Sequence, residues 1–564
     1  MRRAPPRPSG PPRPARAITA LVAAALALGP GCSRQAPHPP PERYVPGDAP
    51  AAISIPALGD ASRQVGALYR TVAQAPPAAR LGEVHAALRA QLGFDPLDPR
   101  GLEQAGVDPG GGAAAALPTG GPPLLVLPVL DVARLDATLA RLARDRMGAA
   151  DRVATKVRGL EVIVFRRDSG GPPALSYTLA GPHAVVSAGA QGAEAVAAAA
   201  AMPEERSLAR SPTWRRAREA VGGGYLATVA VPPGSPAAAD VRAARDGAAL
   251  GLRCDATTLG IRLALLLAPD REAWWQGLRS DGGRAPGAGG APAGDPVAAM
   301  PADAALVLRW AGDPAAARRL LPWLPPDAAR ALAAAGVDPE RDVFPSLGPG
   351  AALALSLAPT FTVAEFASPR FDVRRTDPFR VVRLEAVLPV RDAARLRAIL
   401  ARLQKAAART GVKVAPRGPP GAPASWTLSW GAATLGLSLA GDRLLVAGGA
   451  ERLRALEARA VAGGGYAAPT PPARAALAGG LGGAVLDVGH LVRSVAALPE
   501  EAYGTGPNAF VMRSLVGRYL EPAESLATVS ARLDLSPGAA VVDLEVVGRP
   551  PPAPTAPPAP PAKP

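Results

Sequence analysis

Histidines are the first side chains to consider for catalysis or metal binding, and this chain has few of them. The four are His38, His85, His183 and His490. No two have the spacing of metal ligands, and none stands beside a cluster of cysteines or carboxylates. We therefore expect each of them to be solvated or hydrogen-bonded, and the sequence predicts no metal site.

Cys254, Asp131 and Asp392 are the other residues that invite a chemical role. Cys254 could be a nucleophile, but its counterpart in an internal repeat described below is Leu533, which predicts a buried, inert thiol in a strand. Asp131 and Asp392 occupy matching positions in the repeat, each before a helical pattern. Helix capping explains both carboxylates. Three further aspartates precede proline, where a turn role is expected: Asp95, Asp108 and Asp338.

Sequence motifs of the common catalytic classes are missing. The chain has no Gly-x-Ser-x-Gly string of serine hydrolases and no Gly-x-x-x-x-Gly-Lys-Ser/Thr phosphate loop. The glycine runs 110–112 and 222–224 lack the spacing that binds dinucleotides, so they indicate turns. The sequence predicts no cofactor, and it leaves open whether the protein is an enzyme while favouring a non-catalytic role.

Cys32 has a different chemistry, because of what precedes it. A basic start with Arg2 and Arg3 leads into the apolar run 17–28 and then the small residues 29–31. This order is typical of a bacterial lipoprotein signal, in which the thiol receives a lipid and the leader is removed before the cysteine. Gly29 stands where such signals usually have leucine. A simple secretory cut after Ala27 and an uncleaved anchor remain alternatives, although the run is shorter than the roughly 20 residues that span a bilayer.

The amino-acid composition indicates what the cores consist of and which class of partner we do not expect. Among 564 residues, 48% are hydrophobic and only 4% aromatic, so the cores must consist of Ala, Leu and Val. The net charge of +15 comes almost entirely from arginines. These are scattered over the predicted helices, without a basic stripe or interleaved aromatics, so we expect no nucleic-acid partner. With Cys32 acylated, Cys254 has no partner for a disulfide within the chain.

An internal repeat is the clearest feature of the body. Residues 126–142 (VLPVLDVARLDATLARL) and 387–403 (VLPVRDAARLRAILARL) agree at most positions. Shorter matches follow in the same order: 45–49 with 300–304, 106–109 with 336–339, 179–181 with 439–441, and 253–255 with 532–534. Collinear matches predict tandem duplication of a whole domain.

The composition also predicts the segment boundaries. We expect a signal peptide at 1–31, a Pro-rich tether at 32–44, a first repeat domain at 45–278, a Gly/Ala/Pro linker at 279–298, a second repeat domain at 299–549 and a disordered Pro/Ala tail at 550–564.

Within the first copy the periodicity mixes helices and strands. Helices are predicted at 61–74, 81–92 and 132–144, the last capped by Asp131 and matched by 393–403 in the second copy. Two antiparallel hairpins are predicted, turning at 158–159 and at 181–182. Further strands are expected at 51–55, 124–130, 225–231, 250–256 and 260–267. Consecutive strands joined by short turns, with helices between groups, indicate an α+β fold: in each copy an antiparallel sheet with packed helices.

The layout resembles an uncharacterised bacterial envelope lipoprotein family, tandemly duplicated and known as a domain of unknown function. The resemblance rests on the Pro-x-Asp-Ala strand at 301–304, the Gly-x-Asp-Pro turns, the strand-Asp-helix unit 387–403 and the Leu-Ala-Gly hairpins. It implies localisation in the bacterial cell envelope, on the periplasmic or outer-membrane face. It implies no activity.

The functional prediction is a non-catalytic envelope lipoprotein, attached to the membrane through lipid at Cys32. It would bind a partner protein or an amphiphilic ligand through its duplicated domains. Two alternatives remain: a cell-wall hydrolase with a carboxylate site that lacks a motif, and a surface structural or adhesion module. The hydrolase is separable from the non-catalytic protein, because an enzyme should keep polar residues in a cleft of one copy that the other copy lacks.

Overall fold

The computed structural model describes residues 39–73, 79–235, 246–278, 295–314, 332–363, 377–406, 409, 412–417, 424–430 and 432–549. Cys32, His38, the predicted signal peptide, most of the linker and the predicted C-terminal tail lie outside this range. The fold is α+β with antiparallel pairing of its strands, as the periodicity predicts. The chain forms two compact units, which meet in sequence between Leu266 and Leu267.

The first unit is built on an antiparallel sheet. Its strands are β1 (Ala51–Ile55), β2 (Ala113–Leu117), β3 (Leu124–Pro128), β4 (Asp151–Val157), β5 (Leu160–Arg166), β6 (Pro173–Ala180), β7 (His183–Ala188), β8 (Ala227–Val231), β9 (Ala248–Cys254) and β10 (Thr258–Leu266). Across the sheet they run β4-β5-β6-β7-β3-β2-β1-β8-β9-β10.

Turn chemistry sets the register of the β4–β7 meander. Arg158 has a φ of 52° and Gly159 one of 82°, so both residues of the two-residue turn are left-handed. That conformation matches the twist of the flanking strands. Val157 consequently pairs with Leu160, and Ala180 pairs with His183 across the second predicted hairpin. Both hairpins form at the turns that the sequence predicts.

Helices bury both faces of this sheet. They are α1 (Leu58–Ala73), α2 (Ala79–Leu92), α3 (Pro99–Gln104), α4 (Val132–Met147), α5 (Gly192–Ala200) and α6 (Pro212–Val221). Leu135 and Leu139 of α4 pack with Phe165 in one core. Val162 and Val164, which alternate with Phe165 along β5, are also fully buried, and α5 packs against this part of the sheet. Short 3-10 helices span Pro41–Tyr44, Glu204–Arg206 and Leu208–Arg210.

The second unit repeats the strand order of the first. Its strands are β11 (Leu306–Trp310), β12 (Ala351–Leu357), β13 (Val382–Pro389), β14 (Lys413–Arg417), β15 (Ser425–Trp430), β16 (Ala433–Ala440), β17 (Arg443–Gly448), β18 (Gly482–Asp487), β19 (Leu526–Ser536) and β20 (Ala539–Gly548). Across the sheet they run β14-β15-β16-β17-β13-β12-β11-β18-β19-β20. Each strand of the second unit therefore has the same position in its sheet as the strand of the first unit whose number is ten lower.

Helices of the second unit follow a similar sequence, with an addition before β19. They are α7 (Pro269–Gln276), α8 (Ala393–Lys405), α9 (Ala450–Ala462), α10 (Pro471–Ala478), α11 (Val488–Ala496) and α12 (Pro507–Glu524). A single π turn spans Pro339–Val343, and 3-10 helices span Pro296–Ala299, Phe344–Ser346, Pro378–Arg380 and Glu500–Tyr503. Leu453 and Leu456 of α9 pack with Leu477 of α10 in one core, and α8 packs with β14, β16 and β17 in another.

The end of the first unit differs from the boundary at 278 that composition suggests. Leu267 donates its backbone N–H to Gly538, and the Glu272 carboxylate accepts the backbone N–H of Gly538. Leu278 accepts a hydrogen bond from Asp313. Residues 267–278, which include α7, therefore belong to the second unit. The low-complexity stretch marks a change in composition, whereas the hydrogen bonds determine which unit the preceding helix joins.

Candidate functional site

A cleft of about 720 Å³ opens on the first unit, a volume within the range of small-molecule sites. Its walls come from separate parts of the chain: the start at Pro39–Glu42, Ser54 of β1, the loop 108–112, the hairpin at 182–183, α6 and the glycines 222–224. All of these lie within one unit, on elements that the antiparallel order brings together.

A buried carboxylate lies at one side of the cleft. Glu42 belongs to the 3-10 helix Pro41–Tyr44, which begins at a proline whose missing N–H costs nothing at that position. The Glu42 side chain is only 5% exposed, and its Oε1 accepts a 2.5 Å hydrogen bond from the Ser54 hydroxyl. Ser54 is equally buried. A buried carboxylate of this kind needs such a donor, because desolvation penalises its charge.

His183 and Tyr44 form an aromatic pair at the cleft. His183 is 4% exposed, begins β7 and lies with its ring centroid 5.6 Å from that of Tyr44. Burial raises the pKa of Tyr44, and the nearby Arg43 opposes that shift. The sequence places His183 at a hairpin turn, and the structure confirms the turn while also burying the ring.

Helix α6 contributes two hydrogen-bond donors to the lining of the cleft. Trp214 and Arg218 are four residues apart, so they share one face of the helix. Trp214 is 2% exposed, and its indole N–H has no acceptor within the described part of the chain. Arg218 is exposed and forms no ion pair with any described residue. A buried N–H without an acceptor is uncommon.

The loop at 108–112 completes the site. Asp108 accepts the backbone N–H of Gly110 through Oδ1 at 2.8 Å, which confirms the turn role that the Asp-Pro pair predicts. Gly111 and Gly112 pack so closely on Pro128 and Pro56 that a Cβ would lie under 3.0 Å from them. Gly222 and Gly224 have φ near 82° and end α6. The glycine runs are turns, as predicted, and these turns also line a cleft.

This arrangement suits binding better than acid–base chemistry. The Ser54 hydroxyl donates to Glu42, and Asp108 is engaged by its own turn. The lining groups that lack partners among the described residues are donors, the Trp214 N–H and the Arg218 guanidinium. A ligand carrying oxygen acceptors satisfies both of them.

The second unit lacks these polar groups at the same structural positions. Corresponding residues have the same position within corresponding elements of the two units. They are the second residue of the 3-10 helix before the first strand, the fourth residue of the first strand and the first residue of the seventh strand. In the helix before the eighth strand they are the third and seventh residues. Glu42, Ser54, His183, Trp214 and Arg218 are thereby matched by Val297, Arg309, Arg443, Ala473 and Leu477. At these five positions, all within the described residues, the second unit does not repeat the side chains that line the cleft.

Other residues considered from the sequence lie elsewhere in structural roles. Asp131 and Asp392 each accept the backbone N–H three residues on, at 3.1 and 2.8 Å, so both cap helices as predicted. His85 contacts Asp95 at 2.9 Å, and His490 contacts Ser494 at 3.2 Å. Cys254 is buried in β9, in agreement with the predicted packed thiol.

None of Glu42, Ser54, Trp214 and Arg218 was singled out from the sequence as a site residue. The signal that could have found them is the repeat itself, since each is polar or aromatic where the other copy has a different type. That comparison needs the element positions, because insertions shift the spacing between the sequence matches.

Comparisons with known proteins add little. No family model matches the chain, and no curated protein matches it significantly. Among solved structures, crystal form III of TP0453 gives a TM-score of 0.23 at 9% identity, over 43% of this chain and 87% of that one. Crystal form I of TP0453 gives 0.22 at 11% identity, over 41% and 79%. Likenesses of this size carry no argument about fold or function. No described helix has the length and apolarity needed to cross a membrane.

Proposed function

We propose that this protein is a non-catalytic lipoprotein of the bacterial cell envelope, held to the membrane by lipid at Cys32, and that its first unit binds an amphiphilic ligand. The observation that carries the binding role is the cleft with its unmatched donors at Trp214 and Arg218. The leader before Cys32 supports the location.

Duplication of one ancestral domain is part of this proposal. The same strand order in both units supports it, together with the collinear sequence matches. After duplication the two copies diverged at the cleft, where Trp214 is replaced by Ala473 and Glu42 by Val297. Such divergence is typical when one copy binds a ligand and the other serves as scaffold.

Native mass spectrometry of the full chain, extracted from its own envelope in mild detergent, tests the binding role. We expect a co-purifying ligand that is lost when Trp214→Phe is combined with Arg218→Ala, because these changes remove both unmatched donors. Arg474→Ala is the matched control, since Arg474 is an exposed cation on α10, the corresponding helix of the second unit. Ligand-free protein, or a ligand retained by the double variant, would refute the proposal.

A hydrolase is the second candidate, and one observation favours it. Glu42 lines the cleft of the first unit together with Asp108, and Val297 stands in the place of Glu42 in the second unit, which is the asymmetry expected of a carboxylate enzyme. Incubation with purified cell wall should then release soluble fragments, and Glu42→Gln should abolish the release. Intact cell wall after incubation with wild-type protein would eliminate this candidate.

A further inference from the structure

The cleft lining carries both signs of charge, on different elements. Glu42 and Asp108 supply carboxylates from the chain start and from the loop before β2, whereas Arg218 supplies a guanidinium from α6. A ligand of only one sign would be attracted by part of this lining and repelled by the rest. A dipolar ligand, with an anionic and a cationic group close together, matches both sides.

The rim of the cleft is apolar. Val129 and Leu130 line it together with Pro39 and Pro40, and Leu130 is 53% exposed. An exposed leucine beside a polar cleft gives an aliphatic chain a surface to contact once the polar end of the ligand is bound.

Chain length limits how far the cleft can be from the lipid. Pro39, which lines the cleft, follows Cys32 by seven residues. An extended chain of that length reaches at most about 25 Å. With Cys32 acylated, the entrance of the cleft is therefore held within that distance of the membrane surface, where phospholipid headgroups are the most concentrated amphiphiles.

We infer that the ligand is a phospholipid with a primary-amine zwitterionic headgroup, of the phosphoethanolamine type; this rests on the proposed function of the same cleft. The phosphate accepts hydrogen bonds from the Trp214 N–H and the Arg218 guanidinium, which is well suited to phosphate oxygens. The ammonium donates to the carboxylates of Glu42 and Asp108, each of which accepts a hydrogen bond from the chain and has oxygen lone pairs left for a further donor. An acyl chain lies along Leu130.

Calorimetric titration of short-chain lipids into the full chain carrying Cys32→Ser tests this assignment. The probes are dihexanoyl phosphatidylethanolamine, phosphatidylcholine and phosphatidylglycerol, with phosphoethanolamine and inorganic phosphate as chain-free arms. We expect phosphatidylethanolamine to bind at least about tenfold more tightly than the other two lipids, since only it offers ammonium N–H donors. Glu42→Gln should abolish that preference without changing the affinity for phosphatidylglycerol. Arg218→Ala should weaken the binding of all three lipids.

The outcomes separate this inference from the proposed function. Equal binding of the three lipids overturns the headgroup assignment but leaves an amphiphile-binding cleft. Binding of inorganic phosphate as tight as that of the lipids indicates a free-anion site and overturns the inference. Failure of every probe, with no lipid found by native mass spectrometry, refutes the proposed function as well. The Arg474→Ala variant should bind the three lipids with the same affinities as the parent chain. An unfolding temperature equal to that of the parent chain shows that Glu42→Gln has not altered the fold.

Discussion

Cys254 shows how burial dominates the chemistry of a side chain. It is 7% exposed in β9, and burial, with a smaller contribution from Asp255, raises the pKa of its thiol to about 11. Since the thiolate is the reactive form, such a thiol is nearly inert at neutral pH. Its reactivity and its effect on stability can both be measured.

In the Cys32→Ser chain, Cys254 is the remaining thiol, and we expect a maleimide to label it at pH 8 roughly a hundredfold more slowly than in denaturant. The folded pKa is raised, so the protonated thiol stabilises the fold below the ordinary cysteine pKa, and that stabilisation is lost as the pH rises toward 11. Equal labelling rates in native and denatured protein would show that the thiol is accessible.

Glu385 is the charged residue that the second unit buries most deeply. It is 1% exposed in β13, with Arg452 at 3.3 Å and Arg459 also in contact. In the first unit the corresponding residue is Leu124, because it lies four residues before the proline that ends β3, as Glu385 does in β13. At this position the second unit therefore has an ion cluster where the first unit has a packed leucine.

Glu385→Gln should lower the free energy of unfolding by about 3 kcal/mol, because it leaves two arginines without their shared anion. Chemical denaturation measures this. Asp145→Asn, which disrupts an exposed pair with Arg144, is the control and should change stability by less than about 0.5 kcal/mol. If Glu385→Gln changes the free energy of unfolding as little as Asp145→Asn does, then Arg452 and Arg459 are hydrated by solvent in the Glu385→Gln variant.

Helix caps are the elements on which sequence and structure agree best. Asp131 and Asp392 cap α4 and α8, and both helices extend beyond their predicted ends, to Met147 and Lys405. The cap can be read from sequence because it depends on residues three apart. The end of α4 is also set locally, because Gly148 adopts a left-handed conformation with φ 66° and Ala149 then donates its backbone N–H to Ala143.

Asp131→Ala and Asp392→Ala should each lower the free energy of unfolding by about 1 kcal/mol, since each leaves an N-terminal backbone N–H without an acceptor. Thermal unfolding of each variant measures the effect, and restoring a cap with Asp131→Asn should recover most of it. If alanine proves neutral at both positions, the carboxylates have another role and the capping interpretation fails.

The strands show where sequence prediction stops. Each hairpin could be predicted because turn residues such as Gly159 and Gly181 specify it locally. The pairing of β3 with β7, and of β1 with β8, joins segments separated by long stretches of chain. No local pattern encodes those pairings, and it is these pairings that bring Glu42, Ser54 and α6 around one cleft.

At the scale of the whole molecule, the attachment to the membrane is the prediction with the widest consequences. We expect the mature chain to begin at Cys32 and to carry the mass of a lipid, and we expect Cys32→Ser to release it from the membrane fraction. Cys254→Ser should remain in that fraction. Recovery of the wild-type chain from the cytosol with Met1 intact would contradict the proposed location and remove the distance argument for a lipid ligand.

The sequence alone determined the helix caps, the hairpins, the α+β class and the expected site of lipid attachment, because each depends on residues close together in the chain. Only the tertiary structure decided that 267–278 belong with the second unit and that Glu42, Trp214 and Arg218 share a cleft. The physical reason is that a site of this kind is made by hydrogen-bonded strands distant in sequence, whose pairing is fixed by burial of both faces of the sheet and not by any local pattern.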